Sequence, residues 1–256
     1  MNTALFLSSA GNDPGKAESL SNRIGNFFRW TITMLWTREC FVCGEVAGNA
    51  AVCLACEPML VRLPGQVCAR CALPVPLEGM LCGQCLHRLP YFDATRAAFI
   101  YTQPVREMVL ALKHGKGFGL IDWLGGELNA ALAGLTVDCI VPVPLHARRL
   151  AERGFNQSNE LARRLARVSG LPLRRQAIIR DVNTPKFVGL RGKQRRSAVR
   201  GVFRAVEDFT GQHVLVLDDV MTSGATLNEL ARTLKQRGAV RVTNLVVART
   251  LRLRRQ

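Results

Sequence analysis

Apolar and polar positions change rhythm along this chain. From Ala94 onward, short unbroken apolar runs alternate with stretches in which apolar residues recur every three or four positions, the pattern of buried strands followed by amphipathic helices. Strands are expected at residues 97–101, 137–143, around Ile178, at 214–217 and at 242–247. Pro104 opens a short helix with Val105, Met108, Val109 and Leu112 on one face, closed by the Lys113-His114-Gly115-Lys116-Gly117 stretch. Leu120, Ile121, Leu124, Leu128 and Leu132 mark a second helix. Residues 156–168 form a third, with Leu161, Leu165 and Val168 in register and Gly170 as its stop. A fourth carries Leu227, Leu230, Ala231 and Leu234 on one face and ends towards Gly238. The run 214–217 is apolar on both faces, as in the middle of a parallel sheet. The alternation therefore predicts an α/β domain over residues 94–250. Before it, residues 37–93 have no such rhythm and read as a small separate domain. Residues 1–36 are expected to be a partly ordered extension, and 251–256 a basic tail.

That small domain is written in cysteines. Eight of the nine form four C-x-x-C pairs: Cys40/Cys43, Cys53/Cys56, Cys68/Cys71 and Cys82/Cys85. Two thiolates three positions apart on a tight knuckle bind one tetrahedral ion at ~2.3 Å per sulfur, and two knuckles complete a four-sulfur site. The region reads as two tandem zinc ribbons with two structural zinc ions, and Gly44, Pro74 and Gly83 supply turns around the knuckles. A disulfide framework would need an oxidising compartment, and residues 1–36 lack the pattern of a secretory signal. A redox C-x-x-C would need a thioredoxin-like βαβ setting, absent here. An iron–sulfur cluster uses the same four thiolates and stays open. The ribbons are paired here in sequence, first four then last four, although an interleaved scheme uses the same residues. His87 is expected at the surface and Cys139 in the core as a small hydrophobe.

At 256 residues and 48% hydrophobic, the chain has material for an ordinary domain plus a small one. No apolar run approaches the ~18 residues of a membrane span, so a soluble protein is expected. Net charge is +16, and residues 145–200 hold 15 Lys/Arg against 3 Asp/Glu, which supplies +12 of it. Such asymmetry favours polyanions, pyrophosphate locally and nucleic acid more broadly, and a merely solvated basic face fits equally well because aromatics are scarce in the window.

The strongest chemical signal follows the 214–217 run. Asp218 and Asp219 come next, at the carboxyl end of a strand, where ligands bind in open α/β sheets. Val220-Met221 lead into Thr222-Ser223-Gly224-Ala225-Thr226, a turn that can wrap a phosphate with N–H groups and hydroxyls in front of a helix start. An acidic pair beside an anion cradle suits a diol next to a phosphate. There is no G-x-x-x-x-G-K-[ST], and no G-x-G-x-x-G after a strand, which excludes a P-loop and argues against a dinucleotide site. A second segment, 141–157, places Pro144, Leu145 and His146 beyond a strand and then Arg148, Arg149, Arg153, Asn156 and Gln157. It reads as a rigid loop whose cations neutralise a pyrophosphate. Residues 181–200, with Lys186, Arg191, Lys193, Arg195, Arg196 and Arg200, read either as a closing lid or as a basic loop.

The stretch 214–226 resembles the PRPP-binding motif of type I phosphoribosyltransferases. Together with the Val141-Pro-Val-Pro-Leu-His146 and Arg153-Gly-Phe-Asn-Gln157 segments and the double ribbon, it is similar to the ComF family of competence proteins over residues 38–250. The resemblance implies a parallel-sheet type I phosphoribosyltransferase fold, a cytoplasmic location and a role in DNA uptake during natural transformation. It also implies PRPP with Mg²⁺ as ligand, and single-stranded DNA and competence-machinery proteins as partners. On it, Asp218 and Asp219 take the ribose hydroxyls, residues 222–226 the 5′-phosphate, and His146 to Arg149 with Arg153 the pyrophosphate. Lys113 is a further catalytic candidate, although a lysine at a helix end also complements the dipole. Phe187 and Ala198 stand where the family pattern has Gln and Asn. Three functional readings therefore remain, an active pentosyl transferase, a PRPP-sensing adaptor that binds nucleic acid or protein partners, and a PRPP-responsive regulator of DNA binding.

Overall fold

A computed structural model of the protein describes residues 38–115, 117, 119–183 and 197–251. The expected extension 1–36, most of the basic stretch 181–200, including Lys186, Phe187, Arg191, Lys193, Arg195 and Arg196, and the tail from 252 lie outside the described residues. By its backbone the chain divides into two compact units, Met1–Cys53 and Leu54–Gln256.

Among the described residues the larger unit has six strands: β1 (Ala94–Ile100), β2 (Cys139–Pro142), β3 (Ile178–Arg180), β4 (Phe203–Ala205), β5 (His213–Met221) and β6 (Arg241–Arg249). Four of them form a parallel sheet in the order β1-β6-β5-β2, while β3 and β4 make a separate antiparallel pair. Val214, Leu215, Val216, Leu217, Val242, Leu245, Val246 and Val247 are all fully buried, as a two-faced apolar run requires. The helices are α1 (Gly83–His87), α2 (Val105–Lys113), α3 (Leu120–Ala131), α4 (Ala147–Arg153), α5 (Gln157–Ser169) and α6 (Ala225–Lys235). α6 packs on β4, β5 and β6, and α5 on β2, β5 and α3. Val105, Met108, Val109 and Leu112 bury the predicted face of α2, and Leu120, Leu124 and Leu128 that of α3. α5 starts at an Asn156 cap and stops at Gly170, whose φ of 72° is left-handed. No described helix is long and apolar enough to cross a membrane.

Four features depart from the pattern read off the chain. β5 does not end before the acids but runs on to Met221, because β6 is equally long and stays paired with it through Asp218↔Val246 and Val220↔Ala248. The basic loop after β2 is partly the helix α4, capped at His146, whose Nδ1 accepts from the Arg148 N–H (3.2 Å), and closed by Gly154 at φ 80°. β4 is a strand that the pattern does not predict, its Phe203-Arg204-Ala205 forming one by pairing with β3. Val168 is exposed, so α5 buries Leu161, Ala162 and Leu165 instead. Beyond α6, Gly238 (φ 89°) lies so close to Thr210 that a Cβ would stand 2.7 Å from its Cα, so only glycine closes this corner.

Two of the four C-x-x-C knuckles, Cys40/Cys43 and Cys68/Cys71, rest on small turns of the same kind. The Cys40 N–H donates to Glu45 O (2.7 Å) and the Cys68 N–H to Leu73 O (2.7 Å). The residue after the second cysteine is left-handed in both, Gly44 at φ 80° and Ala72 at φ 56°. Within the larger unit, Cys68, Cys71, Cys85 and Phe92 share one apolar cluster with Met221, Ala225 and Leu227.

Candidate functional site

The sulfurs of Cys40, Cys43, Cys53 and Cys56 gather within 4.8 Å of one another, and so do those of Cys68, Cys71, Cys82 and Cys85. The cysteines thus pair in sequence rather than interleaved. A tetrahedron with bonds of ~2.3 Å has edges of about 3.8 Å. The Cys43–Cys53 separation is 3.8 Å and the Cys71–Cys82 separation 3.4 Å. Knuckle N–H groups point at sulfur: Val42 and Cys53 at Cys40 (3.4 and 3.3 Å), Cys82 at Cys68 (3.3 Å). Burial would raise the Cys40 and Cys68 thiols, but these N–H groups win and hold them down, at about 6 and about 7. Burial and the charges of neighbouring sulfurs push Cys71 up to about 11 and Cys85 higher still. Thiolates crowded this way repel one another unless a cation sits among them, so both clusters fit a structural zinc ion. His87 is exposed and outside either cluster; Cys139 is buried in the sheet.

The second site forms where β2 leaves β5. Their pairing ends at Pro142↔Leu217, which opens a cleft beside the rest of β5. Asp218, Val220, Met221, the turn Thr222-Ser223-Gly224 and the start of α6 at Ala225, Thr226 and Leu227 line it, with Val199 opposite. Gly224 has φ 73°, and a Cβ there would lie 2.6 Å from Met221 Cε. The first N–H groups of a helix have no partner within it, so the start of α6 presents donors to the cleft. Ser223 Oγ accepts one of them, from Ala225 (3.4 Å).

The two acids do not share one environment. Successive strand residues leave on opposite sides. Asp218 faces the cleft, where Ser158 Oγ donates to its Oδ1 (2.9 Å). Asp219 is buried and takes a 3.0 Å ion pair from Lys113 at the end of α2, and it does not line that cleft. Burial, and then the Asp219 charge, push the Asp218 carboxyl up to about 7, against the pull of Ser158, the Asp219 N–H and Lys113. Burial alone would lower Lys113; Asp219 and then Asp218 reverse this and hold it above the ordinary lysine value.

The 144–157 segment divides in the same way. Pro144, Leu145, His146 and Arg149 are half-buried, whereas Arg148 and Arg153 are exposed. Arg148 pairs with Glu152 (3.1 Å), and Arg153 donates to Gln157 Oε1 (2.9 Å). Asn156 is buried and bonded within the chain, its Nδ2 to Val143 O (3.0 Å) and its Oδ1 to the Ser158 N–H (3.1 Å). Gln157 is buried as well, with no hydrogen bond on its Nε2.

Three side chains at this site were not singled out from sequence. Ser158 holds Asp218, and its place in the first turn after an Asn cap was the available signal. Arg180 is buried on β3; burial and then Arg149 lower its pKa while Asp218 raises it, which places it among the charges of the site. A cation on the inward side of the Ile178-Ile179-Arg180 alternation was the readable clue. Arg249, at the end of β6, is buried behind the turn and donates to Met221 O and Thr222 O (2.9 and 2.6 Å).

Comparison with known proteins finds two domain models and several relatives. Residues 129–255 match the phosphoribosyl transferase domain model, and residues 31–86 the double zinc ribbon domain model. The DNA utilization protein YhgH of Salmonella typhimurium is 32% identical over 215 residues, covering 78% of this chain and 91% of that one. Competence protein F of Haemophilus influenzae is 27% identical over 213 residues (77% and 92%). Competence protein ComFC of Bacillus subtilis is 27% identical over 210 residues (78% and 84%).

Proposed function

Because the chain belongs to the ComF/YhgH family, proteins that join a double zinc ribbon to a phosphoribosyltransferase domain, we propose that it binds PRPP with Mg²⁺ and serves the handling of incoming DNA in the cytoplasm. The observation that carries this reading is the cleft where one carboxylate, Asp218, faces a hydroxyl-rich glycine turn at a helix start. Asp218, once deprotonated, accepts from a ribose hydroxyl, and Thr222 to Thr226 take the 5′-phosphate. Lys113 holds Asp219 in place beside it. The half-buried His146 and Arg149, with Arg148 and Arg153, supply cations for the pyrophosphate; Asn156 and Gln157 act mainly by shaping the start of α5. Mg²⁺, a hard cation that keeps several waters, fits a ligand rich in phosphate and hydroxyl oxygens beside a carboxylate. In a transfer reaction the ribose would gain positive charge as pyrophosphate leaves, and the carboxylates would stabilise it.

A second reading is a PRPP-sensing adaptor that docks single-stranded DNA or competence proteins without turnover. The divergence of the acids favours it, since Asp219 is committed to Lys113. The +12 charge of residues 145–200 supports an anionic partner in either case. Calorimetry with PRPP and Mg²⁺, on wild type and on Asp218→Ala/Asp219→Ala, tests the shared premise. Binding is expected in wild type and should be lost in the double variant, and absence of heat from wild type at millimolar ligand removes both readings. Pyrophosphate release with a panel of bases then marks the enzyme, and salt-sensitive single-strand binding that survives the double change marks the adaptor.

A further inference from the structure

The Cys68/Cys71 knuckle and the phosphate turn lie far apart in sequence but meet at one buried guanidinium. Arg249 is 3% exposed, and it spans them. Its Nε donates to Cys71 O (2.8 Å), and its Nη1 donates to Met221 O (2.9 Å), Thr222 O (2.6 Å) and Thr250 O (2.9 Å). The Arg70–Asp93–Lys235 ion pairs join the same knuckle to the carboxyl end of α6 (2.9 and 2.8 Å). Phe92 stands against Gly224, about where a Cβ would meet it at 3.8 Å.

Peptide planarity gives this contact a direction. In a trans peptide the C=O and N–H of one unit point opposite ways. A guanidinium that holds the Met221 and Thr222 carbonyls on one side turns the N–H groups of Thr222 and Ser223 to the other side, where the cleft lies. The planar fork is what allows one side chain to hold the knuckle carbonyl and the turn carbonyls together; a lysine has a single nitrogen centre and cannot do so.

We propose that Arg249 is a positioning residue for the phosphate turn, and that through Cys71 it makes the shape of that turn depend on the integrity of the Cys68/Cys71/Cys82/Cys85 cluster. The cluster then does more than stabilise its own fold. It presets the donors on which an anion would land, so loss of metal disarms the turn before the sheet unfolds.

Hydrogen exchange read by mass spectrometry on the full chain tests this without any ligand. In Arg249→Lys, amides in residues 222–226 should exchange at least tenfold faster than in wild type while those of β5 at 214–217 keep their protection. Stripping zinc from wild type with a chelator should produce the same pattern. The ligand readout rests on the reading of the turn as a phosphate cradle: affinity for ribose 5-phosphate should fall at least tenfold in Arg249→Lys while affinity for Mg²⁺–pyrophosphate holds within twofold, a split that general destabilisation does not give. Unchanged exchange at 222–226 in both the variant and the stripped protein overturns the proposal. If Arg249→Lys fails to fold, the stripped wild type decides alone: selective loosening of the turn supports the proposal, and protection there equal to that of the sheet overturns it. Failure of wild type to bind ribose 5-phosphate would sink the cradle and leave the exchange result standing.

Discussion

Asp218→Asn should make the protein more stable at neutral pH and abolish a pH dependence that wild type shows. In the folded chain burial and Asp219 hold the Asp218 carboxyl at about 7, against an ordinary value of 3.8. Between those limits the folded state keeps a proton that the unfolded state releases, so stability falls as pH rises and levels off above the folded value. A gap of about three units corresponds to about 4 kcal/mol between pH 4 and pH 7, at ~1.4 kcal/mol per unit. Within pH 5.5 to 8, where the zinc thiolates stay bound, about 2 kcal/mol of that is accessible. An amide keeps the shape and the acceptor for Ser158, and it has no charge to bury. Urea denaturation at half-unit steps should therefore show the variant the more stable throughout, with the gap between the two curves widening by about 2 kcal/mol from pH 5.5 to pH 7 and levelling off above it. The difference between the two proteins removes the contributions of every other titrating group. Curves that stay parallel across the range would show that the carboxyl is ionised throughout, and that burial and the Asp219 charge do not raise it.

Two further outcomes follow from the same geometry. Asn156→Ala removes both the cap of α5 and the bond to Val143 O, so it should cost about 2–4 kcal/mol in urea denaturation, whereas Arg148→Ala, which breaks only an exposed pair, should stay within about 0.5 kcal/mol. Metal analysis of the purified protein should return two zinc ions per chain, falling to one in Cys82→Ser; iron in place of zinc would contradict the zinc assignment, and one ion in wild type would contradict two four-sulfur sites.

What the chain discloses in sequence and what it hides follow one physical line. Val214 to Leu217 was legible because burial on both faces leaves an unbroken apolar run, Val242 to Val247 because four of its six residues are apolar and three of those β-branched, and α2, α3 and α6 because one-sided burial leaves a 3.6-residue period. The cysteines were legible because a knuckle fixes their spacing locally. Asp218 and the turn were legible for the same reason, since strand end, turn and helix start are contiguous. What stayed hidden was decided by distant partners. β5 runs past its apolar core only because β6 pairs with it, and β4 is a strand only because β3 lies beside it. Arg249 reads as one more basic residue near a basic end until Cys71 and Thr222, at great sequence distance, are seen to share it. The loop expected after Pro144 became α4 because His146 caps it and Gly154 closes it, two local signals masked by the prolines before them.

The acid pair shows why motif and mechanism separate here. Read as a doublet, Asp218 and Asp219 suggest two equal hands on one diol. Placed inside a strand, they cannot share a side, and each takes charge of a different helix: Asp218 of the start of α5 through Ser158, Asp219 of the end of α2 through Lys113. A ligand in the cleft therefore meets one carboxylate directly and the other only if the Lys113 pair opens. If Lys113 yields when ligand arrives, its replacement by methionine should leave Asp219 unneutralised and weaken folding more than it weakens binding. If the pair stays closed, Asp219→Asn should retain most PRPP affinity while Asp218→Asn loses it. Measuring both variants by calorimetry separates the two cases, and equal loss in both would mean that the acids act together on the ligand despite leaving the strand on opposite sides.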